Sequence, residues 1–223
     1  MLPLSLEDIR RTARATFAAL NSASLDGCLV GSAACSEHGA TRMPNDVDIL
    51  VLTDHKIIEE IQAAIMLADP HFSLSRLDND PTAPSTVLWY TLSAPREPIR
   101  ACRVDIFVPG SIQLPLVPLD RIICSSVTNF PVMPLIAVLL HKAIAWVARG
   151  RLSGPHARSK QASDIADTKD LLAVARERNL TITHADWLPF WFLHDATQAV
   201  ELLCEAYPDT RPDWIRTGFQ ITD

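Results

Sequence analysis

Two aspartates separated by a single residue, Asp46 and Asp48, open the apolar run that continues to Leu52. In an extended chain successive side chains point to opposite faces, so Asp46, Asp48 and Leu50 share one face and Val47, Ile49 and Val51 the other. Two like charges held this way repel unless a cation lies between them, and carboxylate oxygens suit a divalent ion. A third acid, Asp105, sits in the middle of a second β-preferring run at residues 102–108. If the two runs are neighbouring strands, roughly 4.8 Å apart, Asp105 reaches the same ions. Upstream, a Gly-Ser pair, Gly31 and Ser32, closes another short apolar segment, and thirteen residues separate Ser32 from Asp46. Acids on a solvated strand edge would deter aggregation, but that does not explain why all three lie inside runs that otherwise look buried.

The elements that must position these residues follow from the apolar period and the punctuation. Ser5 is an N-cap for a helix over 6–21, with Leu6, Ile9, Ala13, Phe17 and Leu20 on one face. A strand over 27–30 delivers Gly31 and Ser32, a short helix and loop occupy 33–43, and a strand runs from 46 to 53. Residues 54–68 read as a crossover helix ended by Pro70. Strands near 71–76 and 86–93 flank a polar, turn-rich segment at 78–85 that could border the site. After the Asp105 strand, Pro109, Pro115 and Pro118 stiffen a link to a helical lobe. The run 135–148 is a strong, mostly buried helix with Lys142 as its only permanent charge. Two roles suit that lysine: reaching into a cleft, or packing its stem on the core with the amine in water. Arg149, Arg151, Arg158 and Lys160 then form a cationic loop at 149–163, and Ser163 caps a helix over 164–178 whose early acids, Asp164, Asp167 and Asp170, favour the helix dipole. The aromatic-rich tail gives a helix over 185–206 that sets Trp187, Trp191 and Leu203 against the lobe as core. The expected architecture is α/β (α+β): a mixed sheet flanked by helices in residues 1–118, with a C-terminal helical lobe in 119–223.

The Gly-Ser turn, the Asp-x-Asp pair on the following strand and the third Asp on a later strand resemble the nucleotidyltransferase superfamily, the DNA polymerase β-like fold. The resemblance covers roughly residues 25–108. It implies that Gly31 and Ser32 contact the phosphates of a nucleoside triphosphate. It also implies that Asp46, Asp48 and Asp105 bind two Mg2+ (or Mn2+) ions about 3.5 to 4 Å apart, and that Asp105 helps activate an incoming hydroxyl. Lys142 corresponds to a helical lysine that neutralises the triphosphate in several members. The buried helix, basic loop and acid-rich helix are, more loosely, similar to the region after the core in the AbiEii toxin and related small nucleotidyltransferases. The implied activity is transfer of a nucleoside monophosphate from an NTP to a hydroxyl or phosphate acceptor, with pyrophosphate released. The alternatives are an inactive nucleotide-binding or interaction module of the same fold and a tRNA-directed transferase.

Composition narrows the partners. Acids outnumber Lys and Arg, 26 to 20, for a net charge of −6 across 223 residues. Such a chain lacks the general positive field that grips long nucleic acid, although tRNA is not excluded. A small-molecule or protein acceptor fits better. Five cysteines at irregular spacing, most among apolar neighbours, read as buried reduced thiols, and the seven histidines form no zinc-type cluster. The charged N-terminal segment does not read as a signal peptide, and no apolar run suffices to cross a membrane, so an intracellular (cytoplasmic or nuclear) protein is expected.

Overall fold

A computed structural model describes residues 3–53, 55–75, 86–94 and 99–221. The segment at 78–85 expected to border the site lies outside the described residues. The chain begins with α1 (Leu6–Ser22), whose N-terminus is closed by a reciprocal capping box: Ser5 Oγ accepts from the Asp8 amide, and Asp8 accepts from the Ser5 amide. Ile9, Ala13, Phe17 and Leu20 form its buried face. Then come β1 (Gly27–Val30), α2 (Gly31–His38), β2 (Asp46–Val51), α3 (Ile58–Ala68), β3 (Phe72–Ser75), β4 (Val87–Thr91) and β5 (Ala101–Phe107). Two short strands follow, β6 (Ile123–Cys124) and β7 (Pro131–Val132). The remaining helices are α4 (Leu135–Gly150), α5 (Pro155–Glu177), α6 (Phe190–Ala206) and α7 (Arg211–Arg216).

The strands form one mixed sheet in the order β3-β4-β5-β2-β1-β7-β6. β1 runs antiparallel to β2, and β2 runs parallel to β5, so the two strands predicted to carry the acids are neighbours. Helices α1 and α3 pack together and against the centre of the sheet, whereas α2 packs on β1 and β2 and bridges to α4 and α5. Val47, Ile49, Leu50 and Val51 are all fully buried. The face that begins with two acids therefore turns apolar at Leu50.

Several elements differ from the sequence pattern. α2 begins at Gly31 itself, and α3 begins only at Ile58. Residues 149–163 are not a connecting loop: α5 starts at Pro155 and leaves Ser163 mid-helix, where its Oγ donates back to the Ser159 carbonyl. Gly154, at φ 115°, takes a backbone conformation open to glycine, and Pro155 supplies a pre-set φ at the first helical position, so the start signal was Gly-Pro rather than Ser163. Strands β6 and β7 have two residues each, too short to leave a periodic signature, yet β7 extends the sheet beyond β1 through Leu29↔Val132. α6 starts after Pro189, and Trp191 is 44% exposed rather than core. Four of the five cysteines are buried and Cys124 is exposed. Among the described residues, no helix is long and apolar enough to cross a membrane.

Candidate active site

Parallel pairing of β2 with β5 sets Asp48 directly opposite Asp105. Strand alternation places Asp46 on the same face as Asp48, two residues away. One carboxylate oxygen from each of the three acids lies within 4.8 Å of the other two. Burial, followed by the charges of Asp46 and Asp105, pushes the Asp48 carboxyl up to about 8. Burial also raises Asp105, although Arg103 pulls the other way. Carboxylates packed this closely disfavour one another's ionised form, a cost that a cation between them would relieve.

The turn from β1 into α2 passes over the acids. Gly31 has φ +58°, and a Cβ there would stand 1.9 Å from Asp48 Oδ2, so no larger residue fits without moving the carboxylate. Ser32 follows and donates from Oγ to Asp46 Oδ1 at 3.1 Å. Two cations lie against the acids: Arg103 Nε is 2.8 Å from Asp105 Oδ1, and Lys160 Nζ is 3.8 Å from Asp46 Oδ2. Arg103 was missed in the sequence, yet the signal was there, because a residue two positions before Asp105 must share its face.

Facing the sheet across a cleft of about 350 Å³ are one face of α4, with Lys142, Ala145 and Arg149 at helical spacing, and one face of α5, with His156, Ser159, Lys160 and Ser163. Phe107 and Ile112 complete the lining near the end of β5. The cleft is thus mostly charged around the acids, with Phe107, Ile112 and Ala145 among its apolar lining residues.

Lys142 borders this cleft but is held from behind. Its Nζ lies 2.7 Å from Asp167 and 3.2 Å from Asp164, both on α5. Arg42 makes two bonds to the same Asp167, at 2.7 and 2.6 Å, and Arg149 pairs with Asp164. Burial would raise the Asp167 carboxyl, but the bonds from Arg42 and Lys142 outweigh it and hold the group below the usual carboxylate range. Asp164 and Asp167 are thus mid-helix partners of buried Lys142 and half-buried Arg42 and Arg149, not first-turn acids, and Asp170 accepts from both the amide and hydroxyl of Thr41 at 2.7 Å. The Lys142 amine is neither solvated nor free: two of its three donors face carboxylates, which restricts what it can give to a phosphate. Of the four basic residues at 149–160, Arg149 and Lys160 line the cleft, Arg151 borders a separate pocket between α4 and α6, and Arg158 is exposed.

No protein-family model matches the sequence, and no curated protein does either. Solved structures do match. An antigenic nucleotidyltransferase-like protein from Paracoccidioides brasiliensis superposes with a TM-score of 0.68 at 16% identity, over 98% of this chain and 97% of that one. JHP933 from Helicobacter pylori superposes with a TM-score of 0.55 at 14% identity, over 95% of this chain and 79% of that one. Nearly the whole chain, acid-bearing sheet and helical part together, therefore adopts the nucleotidyltransferase-like fold.

Proposed function

We propose that the protein is a metal-dependent nucleotidyltransferase that transfers a nucleoside monophosphate from an NTP to a hydroxyl or phosphate acceptor. The observation that carries this reading is the three-carboxylate cluster beneath the Gly31-Ser32 turn, with Asp48 raised by burial and then by its acidic neighbours. Three hard oxygen donors within 4.8 Å fit Mg2+ or Mn2+ rather than a thiophilic metal. Asp46, Asp48 and Asp105 would hold the metal, which when bound would offset the charge on the acceptor's attacking oxygen and on the bridging oxygen that leaves with pyrophosphate.

The chain's own residues supply the rest. Gly31 lets the backbone come close to the phosphates, and Ser32 Oγ can turn from Asp46 to a phosphate oxygen. Lys160, the most exposed of the cleft's Lys and Arg side chains, and Arg149 offer positive charge at the cleft edge, with buried Lys142 behind them. Asp105 Oδ1 is taken by Arg103, which leaves Oδ2 to receive the proton of an acceptor hydroxyl. In this reading residues 1–118 form the catalytic core, and residues 119–223 form the lobe that completes the cleft. A cleft of about 350 Å³ and a net charge of −6 favour a small molecule or a protein side chain as acceptor over long nucleic acid. We place the protein inside the cell, where NTPs are found.

The test is calorimetric titration of each NTP, with and without magnesium, into the wild type and Asp46→Asn. Magnesium-dependent binding by the wild type alone is expected. Absence of nucleotide binding by the wild type would sink the reading. Binding without pyrophosphate release, across a panel of hydroxyl acceptors, would instead mark a binding module.

A further inference from the structure

The segment after β5 contains the most strained non-glycine backbone near the cleft. Ile112 has φ 42° and ψ 39°, and Gln113 follows at φ 61°. A β-branched side chain in the left-handed region crowds its own backbone, and such a conformation persists only where surroundings enforce it. Here they do. Buried His141, kept neutral because burial depresses it to about 4, donates from Nε2 to the Ile112 carbonyl at 3.0 Å. The Gln113 side chain donates to Asp195 Oδ2 at 3.0 Å, and the Gly110 amide closes the turn on the Leu114 carbonyl at 2.8 Å. Leu114 is fully buried and anchors the far end. What this holds in place is a side chain 58% exposed on the wall of the cleft.

An exposed isoleucine held in a strained turn contributes nothing to the core, so its placement points to a ligand. Phe107 lies two residues beyond Asp105 on the same strand face, towards the end of β5 and away from Gly31 and Ser32, and Ile112, five residues further along the chain, lines the same cleft. A molecule with an anionic end and a flat apolar end matches that division. We propose that Ile112 is the positioning contact for the nucleobase of the bound NTP, packing against its face while the triphosphate lies over the acids. This rests on the nucleotidyl-transfer reading and extends it to one residue. Because the contact is apolar, it favours a nucleoside triphosphate over a bare triphosphate without selecting among bases by hydrogen bonding.

The experiment compares magnesium-ATP with magnesium-tripolyphosphate, which has no base, by calorimetry on the wild type, Ile112→Asn and Ile112→Val. Asparagine tolerates the left-handed region and removes the apolar surface; valine keeps most of that surface. Ile112→Asn is expected to weaken ATP by about five- to tenfold and to leave tripolyphosphate unchanged, with Ile112→Val close to wild type. Its melting temperature should rise by about 2–4 °C as the strain is relieved. Unchanged ATP binding in Ile112→Asn, or an equal loss for both ligands, overturns the proposal while leaving the nucleotidyl reading intact. A wild type that binds neither ligand overturns that reading and this one with it.

Discussion

The Asp48→Asn substitution tests the charge cluster most directly. Asp48 carries a folded-state value of about 8 against an ordinary 3.8, because burial and then Asp46 and Asp105 disfavour its ionised form. A carboxyl raised in this way stabilises the fold fully only below its ordinary value, and that contribution is lost as pH climbs through the folded value. At about 1.4 kcal/mol per unit, keeping or ionising this carboxyl costs the metal-free protein roughly 1 to 2 kcal/mol at about pH 5 and up to roughly 5 kcal/mol at about pH 8.5. The latter is an upper bound, because Asp48 faces the cleft on one side and water there screens it. Asparagine is neutral at every pH and nearly the same size. In a chelator, Asp48→Asn should therefore melt only a few degrees above the wild type at about pH 5 and above it by a clearly larger margin, up to about 10–20 °C, at about pH 8.5, at roughly 2–4 °C per kcal/mol. Magnesium should then raise the wild-type melting temperature and leave the variant nearly unchanged. A variant less stable than the wild type by the same margin at both pH values would show that Asp48 makes a structural bond, and would refute the argument.

Gly31→Ala should abolish magnesium-dependent nucleotide binding and lower the melting temperature, since its Cβ would stand 1.9 Å from Asp48 Oδ2 on a backbone at φ +58°; normal binding by calorimetry would contradict this. Lys142→Met should destabilise by about 3 kcal/mol in denaturant melts, because Asp164 and Asp167 keep their charge and lose a buried partner at 3.2 and 2.7 Å. His141 is depressed from 6.5 to about 4 by burial, so its contribution is present above its ordinary value and lost on acidification. Relative to His141→Gln, the wild type should accordingly lose stability between about pH 6.5 and 4, read as the difference between the two proteins in pH-dependent thermal melts, since Asp48 acts the other way over that window in both. Glu37→Gln should cost about 1 to 2 kcal/mol, since Glu37 takes bonds from Arg10, Ser125 and Thr128 and ties β6 and β7 to α1 and α2; chemical denaturation measures it.

The acids were legible in the sequence because strand alternation is a local rule: once residues 46–51 and 102–107 are strands, Asp46, Asp48 and Asp105 must each face one side. Their meeting needed only that the two strands be neighbours, which the Gly-Ser turn and the order of motifs suggested. Gly31 was legible only through the resemblance, in which a Gly-Ser turn precedes the acids, and the structure adds that Asp48 itself occupies the space of the missing Cβ. The surroundings of Lys142 were not legible. Its partners lie on a helix more than twenty residues later, and Arg42 reaches Asp167 across 125 positions, so no local pattern carries the pairing. The same limit hid β7, two residues long, and the backbone of Ile112, whose conformation is imposed by His141 and Asp195 from two different helices.

The five charges Arg42, Lys142, Asp164, Arg149 and Asp167 have a consequence for how α5 sits. Buried ion pairs add little net stability over well-packed apolar residues, but they penalise every arrangement that leaves one of them unmatched. Rotating α5 by one residue, about 100° around its axis, would turn both carboxylates away from α4 and strand three cations. Sliding it by one turn would pair at most one acid. Apolar contacts between α4 and α5 would tolerate several such settings at similar energy. The charges admit one, and in that one the face bearing Ser159, Lys160 and Ser163 looks into the cleft. The cluster thus acts as an indexing device, fixing the angular setting of a helix whose own hydrophobic pattern is too weak to fix it.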